Sequence, residues 1–450
     1  MISRDAAWIA REAGGELVRS AEGAPTAAAV DSRETPAGAL FVGLAGSQAD
    51  GGTFAALAMS GGAWGALVAP AHVEAALAEH GAVIAAADPL AALGGLAAAW
   101  RRELAASGTR IFAITGSTGK TSTKDILAAL LRRSGLATVQ TPGNWNTEIG
   151  LPLVVLGASE GTGALVLELA MRGPGQIAEL TRIADPDIGL IVNVGPAHIE
   201  LLGSIEAIAA AKAELIAGLR SDAAAVIPAG SQLLAPHLRS DLRAVTFGDG
   251  GDVRLEERGG ELRIIGLGRD LTLSTNFAQR HQLGNLAGAV AAAWAAGIEI
   301  ADGELEVAFS ALRGERHALA GGIVLIDDSY NANPDSMRAA IDELCRVAAG
   351  RRIALLGEML ELGEHAPALH AAVGEHAMRS GVDVVIAVGE HADEIAGPLG
   401  ERGYVVPDSA AAAELALGLL ADGDTVLVKG SRGVRMDLAA ARLREAKVPA

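Results

Sequence analysis

Residues Ile111-Phe112-Ala113-Ile114-Thr115-Gly116-Ser117-Thr118-Gly119-Lys120-Thr121 are an apolar run that passes directly into a glycine loop ending in Lys-Thr. Few local patterns restrict a fold so tightly. A buried strand has to deliver the loop, a helix has to follow it, and the glycines let backbone N–H groups turn inward on an anion. The lysine then reaches the terminal phosphates of a nucleotide, and the threonine hydroxyl takes a coordination position on Mg²⁺. The longer form of this loop would put its first glycine at position 114, where this chain has Ile114. The shorter Thr-Gly-x-x-Gly-Lys-Thr form is present instead, and it implies ATP binding by Thr115, Gly116, Ser117, Thr118, Gly119, Lys120 and Thr121.

A chain of 450 residues is too long for one core, and its length suggests about three domains. Residues 1–87 hold short strand-like runs (Ala39–Val42, Trp64–Val68) and a helical stretch near Phe54–Met59, which reads as a small α/β module. Residues 88–313 carry the phosphate loop and the apolar runs Ala164–Leu169 and Ile188–Val194, suited to a mostly parallel sheet covered on both faces. Alternating β character follows over Val253–Leu273, then a helix over Leu286–Ala296. In residues 314–450 the runs Ile323–Ile326, Ile353–Leu356, Val384–Val388 and Val426–Val428 each end in a polar or glycine-bearing turn, as in a Rossmann-like domain. The predicted fold class is therefore α/β throughout, in three domains.

A net charge of −18 argues against nucleic acid and against an anionic membrane surface as partners. The single Cys345 excludes an internal disulfide framework and a cysteine zinc cluster, and points to a reducing, cytoplasmic setting. The N-terminus has no unbroken apolar stretch of the signal-peptide kind, and no Ala-rich run is long enough to span a bilayer. A monomer is the default expectation. His365, His370 and His376 do not repeat one helix face, so a zinc site is not expected there.

Phosphate binding alone names no reaction, so the groups at the next strand ends matter. Ala164–Glu168 ends in an acid, and the run from Ile191 ends in His198. At the sheet edge that carries the phosphate loop, carboxylate and imidazole could hold a metal beside the nucleotide, although a surface acid and a structural histidine are the plainer alternatives. Lys212 lies on an apolar helical stretch, where a lysine ordinarily snorkels to water. Buried near Mg²⁺, it would lose its proton and could take up CO₂ as a carbamate, a carboxylate-like ligand.

Four segments together resemble the Mur ligases of peptidoglycan synthesis: Thr115–Thr121, Gly143-Asn144-Trp145-Asn146-Thr147-Glu148-Ile149-Gly150-Leu151-Pro152, Asn193–Glu200 and Asp327-Asp328-Ser329-Tyr330-Asn331-Ala332-Asn333-Pro334. The resemblance covers nearly the whole chain and is strongest to the member that adds a dipeptide. It implies an ATP- and Mg²⁺-dependent ligase that joins D-alanyl-D-alanine to UDP-N-acetylmuramoyl-tripeptide through an acyl phosphate. It further implies that Lys120, Lys212, His198 and Glu168 serve catalysis, with Thr121, Glu168, His198 and carbamylated Lys212 at the metal. Asn285 would contact adenine, and Arg316 and Asp328 would reach the nucleotide when the domains close.

By the same resemblance Ser32 and Arg33 bind the UDP moiety, and Asn144, Asn146 and Thr147 belong to the UDP-substrate side. Tyr330, Asn331, Asn333, Ser431 and Arg432 would face the incoming amine, Arg432 being equally readable as a surface residue. The chain departs from the family at Gly52, where histidine is common after Asp-Gly, which puts a role for that position in doubt. Two alternatives stand beside this reading. One is the family member that adds a diamino acid, whose Asp-Asn-Pro-Arg element the C-terminal third lacks. The other is a non-catalytic nucleotide-binding homologue.

Overall fold

Among the described residues there are three sheets, one within each predicted domain. The computed structural model describes residues 4–197, 199–258 and 261–446. His198, expected at the metal, lies outside the described residues. Among the described residues no helix is long and apolar enough to cross a membrane.

The first sheet joins β1 (Glu16–Arg19), β2 (Ala27–Ala29), β3 (Ala39–Val42), β4 (Gly65–Val68) and β5 (Ala82–Ala85) in the order β1-β5-β4-β3-β2, parallel except for β1. Leu40, Val42, Leu67 and Ile84 on one face merge into the core of the second domain through Leu93, Leu96 and Trp100 of the helix Pro89–Ala106. That helix starts where it does because Pro89 suits a first helical position and the Asp88 carboxylate accepts from Leu90 N and Ala91 N. Trp100 is fully buried, and its indole N–H donates to Ala158 O at 2.9 Å, so the ring takes no unpaired polar atom into the core.

The central sheet has ten strands: β6 (Arg110–Thr115), β7 (Thr138–Gln140), β8 (Ala164–Glu168), β9 (Ile188–Ile191), β10 (Ala224–Pro228), β11 (Arg243–Phe247), β12 (Val253–Arg258), β13 (Glu261–Gly266), β14 (Arg269–Thr275) and β15 (Gly303–Leu305). Their order is β15-β14-β13-β12-β11-β10-β9-β6-β8-β7, parallel from β7 to β12. β6 lies between β8 and β9, so the phosphate loop is flanked by the two strand ends singled out in the sequence. The run predicted to extend to Val194 ends as a regular strand at Ile191, although Val192 N still donates to Thr115 O and Asn193 O accepts from Ser117 N before Asn193 and Gly195 turn to hold the loop. The helix predicted from Leu286 begins earlier, at Arg280.

The third sheet contains β16 (Glu315–Ala318), β17 (Val324–Asp328), β18 (Arg352–Gly357), β19 (Val384–Val388), β20 (Gly403–Val406) and β21 (Thr425–Lys429), ordered β16-β17-β21-β18-β19-β20. All pairs except β16–β17 are parallel. Insertion of β21 beside β17 puts Asp328 and Lys429 directly opposite each other at the carboxyl ends, where an open α/β sheet binds ligands.

Candidate active site

The helix Lys120–Arg133 starts at Gly119, whose φ of +76° few residues other than glycine adopt. A Cβ at this position would also stand 2.8 Å from Asn285 Oδ1, so the loop packs against Asn285 only because that atom is missing. Asn285 Nδ2 is buried without a hydrogen-bond partner, a donor left over at the edge of the loop. The opposite side is braced from the segment after β9. Thr118 N donates to Asn193 Oδ1 (2.9 Å), Asn193 Nδ2 donates to Thr118 Oγ1 (2.8 Å), and Ser117 Oγ both donates to Gly195 O and accepts from Gly195 N.

Beyond the loop lies a set of hard oxygens. Thr121 Oγ1 donates to Glu168 Oε2 at 3.0 Å, and Asn146 Nδ2 donates to Glu168 Oε1 at 2.8 Å. Thr141 Oγ1 accepts from Glu168 N and fixes the end of β8. Lys120 Nζ donates to Gly116 O at 2.7 Å. Burial holds its pKa below the ordinary 10.5, the charge of Glu168 opposes that, and the charge of Arg313 adds to it.

Lys212, on the helix Ile205–Ala217, is 2 % exposed. Burial first, and the charge of Lys120 second, push its amine well below the ordinary lysine value. It does not snorkel, and a neutral amine of this kind is the form that reacts with CO₂. The Thr121 hydroxyl and the Glu168 carboxylate, 3.0 Å apart, are the hard oxygen donors that suit a divalent cation.

The third domain closes the site from above. Lys429 Nζ donates to Asp328 Oδ2 (2.7 Å) and to Asn331 O (2.9 Å), which holds the β17 and β21 ends together. The Arg313 guanidinium lies 4.0 Å from the Tyr330 ring centre and donates to Thr121 Oγ1 at 3.2 Å. His281, at the start of the helix Arg280–Ala295, lines the facing wall with its ring open to the cavity. The two domains meet closely at Gly195, where a Cβ would run into the Asp335 carboxylate.

One cavity of about 780 Å³ connects the loop, Glu168, Arg313, His281 and Lys429, while Thr115, Gly116 and Lys212, also expected at the site, do not line it. Ser117–Thr121, Glu168, Asn285, Asp328, Asn144, Asn146, Thr147, Tyr330, Asn331 and Asn333 line it. Several anticipated residues are placed elsewhere. Arg316 pairs with Glu343, which also holds Arg346, and does not line the cavity. Ser431 Oγ accepts from Leu360 N and shapes the neighbouring loop, while Arg432 is exposed and pairs with Asp437. Asn333 is partly committed as a helix cap: its Oδ1 accepts from Ser336 N.

Ser32 and Arg33 lie on the first domain outside this cavity, and Arg33 forks onto Asp31, whose pKa those bonds lower to about 2. At the departure from the family pattern, the His72 ring fills the space a side chain at Gly52 would take, and its Nε2 lies 2.8 Å from Asp50 Oδ2. Arg313, Asn193 and His281 were not singled out as site residues, and Lys429 was read only as the start of the late loop through Arg432 that resembles the family's amine-side loop. Lys429 was findable as the charged end of an apolar strand; Arg313 carries no such local signal.

A phosphate loop on a parallel sheet, covered by a third α/β domain that reaches into the same cavity, is the architecture of an ATP-dependent ligase. The profile of the Mur ligase middle domain matches residues 114–293, and that of the Mur ligase glutamate ligase domain matches residues 312–432. The chain belongs to the Mur ligase family. It is 35% identical to the UDP-N-acetylmuramoyl-tripeptide--D-alanyl-D-alanine ligase of Synechocystis sp., over 92% of this chain and 90% of that one. The crystal structure of MurF from Acinetobacter baumannii superposes with a TM-score of 0.87 at 26% identity, covering 99% of this chain and 100% of the other. The MurF ligase of Thermotoga maritima in complex with ADP superposes with a TM-score of 0.79 at 29% identity, covering 93% and 97%.

Proposed function

We propose that this enzyme uses ATP to join D-alanyl-D-alanine to the terminal carboxylate of UDP-N-acetylmuramoyl-tripeptide, forming the pentapeptide precursor of peptidoglycan in the cytoplasm. The observation that carries this reading is the single cavity in which the phosphate loop, the Asn144–Thr147 segment and the β17–β21 strand ends face one another. Three substrates have to meet in one place; the second and third domains provide the walls of the cavity, and the first domain offers a site for the UDP end outside it.

A carboxylate is a poor electrophile near neutral pH. Its oxygen therefore attacks the γ-phosphorus of ATP, the bond to ADP breaks, and an acyl phosphate forms. The free amine of the dipeptide attacks the acyl carbon, the C–O bond to phosphate breaks, and the ammonium proton passes to solvent or phosphate. Little covalent work falls on the chain, whose task is positioning and charge. Lys120 and the loop N–H groups neutralise the phosphates. Glu168, Thr121 and carbamylated Lys212, with His198, would hold Mg²⁺, which supplies further charge neutralisation at the phosphoryl group. Asn146 orients Glu168, and Asn144 and Thr147 fit the peptide end of the UDP substrate. Ser32 and Arg33 suit the uridine diphosphate on the first domain, from which the substrate extends toward the cavity. Tyr330 and Asn331 fit the incoming dipeptide.

Phosphate release with UDP-N-acetylmuramoyl-tripeptide tests the reading. Turnover with D-alanyl-D-alanine and none with free diamino acids is expected. Turnover only with a diamino acid would move the enzyme to another step of the pathway, and silence with every amine would leave a nucleotide-binding homologue.

A further inference from the structure

The segment joining the second and third domains, residues 306–314, is pinned along its length. Val307 exchanges two hydrogen bonds with the Asn276 amide, Nδ2 to Val307 O (3.1 Å) and Val307 N to Oδ1 (3.0 Å). Phe309 sits edge-on to Phe277, centroids 5.3 Å apart. Ser310 N donates to Asp125 Oδ2 at 2.8 Å, and Asp125 lies on the helix that leaves the phosphate loop. Two residues later Leu312 takes a φ of +62°, a sparsely populated conformation for a residue with a side chain, and its carbonyl accepts from Tyr330 N. That turn reverses the chain and sends Arg313 back over the phosphate loop.

Arg313 arrives with unused capacity. One Nη2 bond goes to Thr121, the planar face rests on Tyr330, and Nε is buried with no hydrogen-bond partner among the described residues. Its charge also bears on Lys120. Glu168 offers one negative charge to two cations on this cavity wall, which leaves room for an anionic ligand, and a guanidinium presents a flat fork matched to phosphate oxygens. Arg316, three residues on, is already engaged by Glu343.

We infer that Arg313 is a catalytic residue that contacts the oxygens of the transferring terminal phosphate, presented from the interdomain segment by the Asp125–Ser310 anchor and the Leu312 turn. The role in turnover rests on the ligase reading above; the contact to the terminal phosphate does not. Because the anchor belongs to the phosphate-loop domain and Tyr330 to the third domain, the guanidinium is correctly aimed only when both are seated. Domain closure and charge stabilisation then become one event.

Two measurements on the full-length wild type, Arg313→Ala and Arg313→Lys test this. Calorimetric titration with AMP-PNP and with ADP should show Arg313→Ala losing about tenfold or more of its AMP-PNP affinity while ADP changes less than about threefold, since only the former carries the terminal phosphate. In turnover with the tripeptide, ATP and D-alanyl-D-alanine, kcat should fall by about a hundredfold or more. Added guanidinium at sub-denaturing concentration should restore part of it, and Arg313→Lys should not substitute. Equal loss of AMP-PNP and ADP affinity, or an alanine variant within about threefold of wild-type kcat without guanidinium rescue, would overturn the assignment. A wild type silent with every amine, yet dependent on Arg313 for AMP-PNP alone, would sink the ligase reading and leave this one standing.

Discussion

Asp125→Asn probes how firmly the phosphate-loop helix holds the interdomain segment. The Asp125 carboxylate is 3.2 Å from Lys124 Nζ, and the two side chains are 2 % and 1 % exposed. Its Oδ1 accepts from Gln140 Nε2 and its Oδ2 from Ser310 N, while Lys124 also donates to Thr141 O at 2.8 Å. Removing one partner of a buried ion pair costs about 3 to 5 kcal/mol, because the other charge stays buried. Lys124 keeps the Thr141 carbonyl, which favours the low end. Asparagine has one acceptor oxygen for two donors, so one further bond is lost, worth about 1 kcal/mol. The expected destabilisation of the central domain is therefore about 4 kcal/mol.

Urea unfolding followed by the fluorescence of buried Trp100 and Trp294, both in that domain, measures it, with hydrogen exchange of the 306–314 peptide as the local readout. The double variant Lys124→Met/Asp125→Asn should be less destabilised than the sum of the single changes by about 2 to 3 kcal/mol. A single variant within about 0.5 kcal/mol of wild type, with unchanged exchange in the linker, would refute both the buried pair and the anchor.

Three further outcomes follow from the site and its support. Lys212→Ala should lower turnover by about a hundredfold, and small carboxylates such as formate should restore part of it; an unimpaired variant would remove the carbamate. Glu168→Gln should raise the Mg²⁺ concentration for half-maximal turnover about tenfold or more, and an unchanged Mg²⁺ dependence would exclude Glu168 as a ligand. His370 donates through Nδ1 to Ala366 O and accepts at Nε2 from Met359 N, and burial, opposed by the Ala366 bond and by Glu358 and Glu394 and assisted by the His391 charge, holds its pKa below 6.5. Its contribution to stability is complete above pH 6.5 and is lost as the pH falls from there toward its folded value, so the third domain of a His370→Gln variant should show a flatter acid limb in urea midpoint against pH. Parallel limbs would contradict this.

Strands β6, β8 and β9 of the second sheet and β17, β18, β19 and β21 of the third were legible because parallel strands covered on both faces are written as unbroken apolar runs, and Val384–Val388 was located to the residue, whereas β7, β10, β11, β15, β16 and β20 were not read from the sequence. The phosphate loop was legible because its chemistry admits few residue types. What escaped was whatever depends on residues distant in sequence. Nothing around Arg313 signals that it crosses to Thr121, since the turn that aims it is made by Leu312 and held by Asp125 nearly two hundred positions earlier. Arg316 sits in the more recognisable position, yet Glu343 on the helix Pro334–Val347 claims it. Pairing order across β17 and β21 likewise decides that Lys429 meets Asp328, which no local pattern around either residue announces.

The central claim is that the tripeptide carboxylate is activated by attack on the terminal phosphate of ATP. UDP-N-acetylmuramoyl-tripeptide labelled with ¹⁸O in its terminal carboxylate, incubated with ATP, Mg²⁺ and D-alanyl-D-alanine, tests it by mass analysis of the released phosphate. An acyl phosphate requires one carboxylate oxygen to leave with the phosphate, so each turnover should yield phosphate carrying one ¹⁸O. Phosphate free of label, formed in step with pentapeptide, would contradict the mechanism.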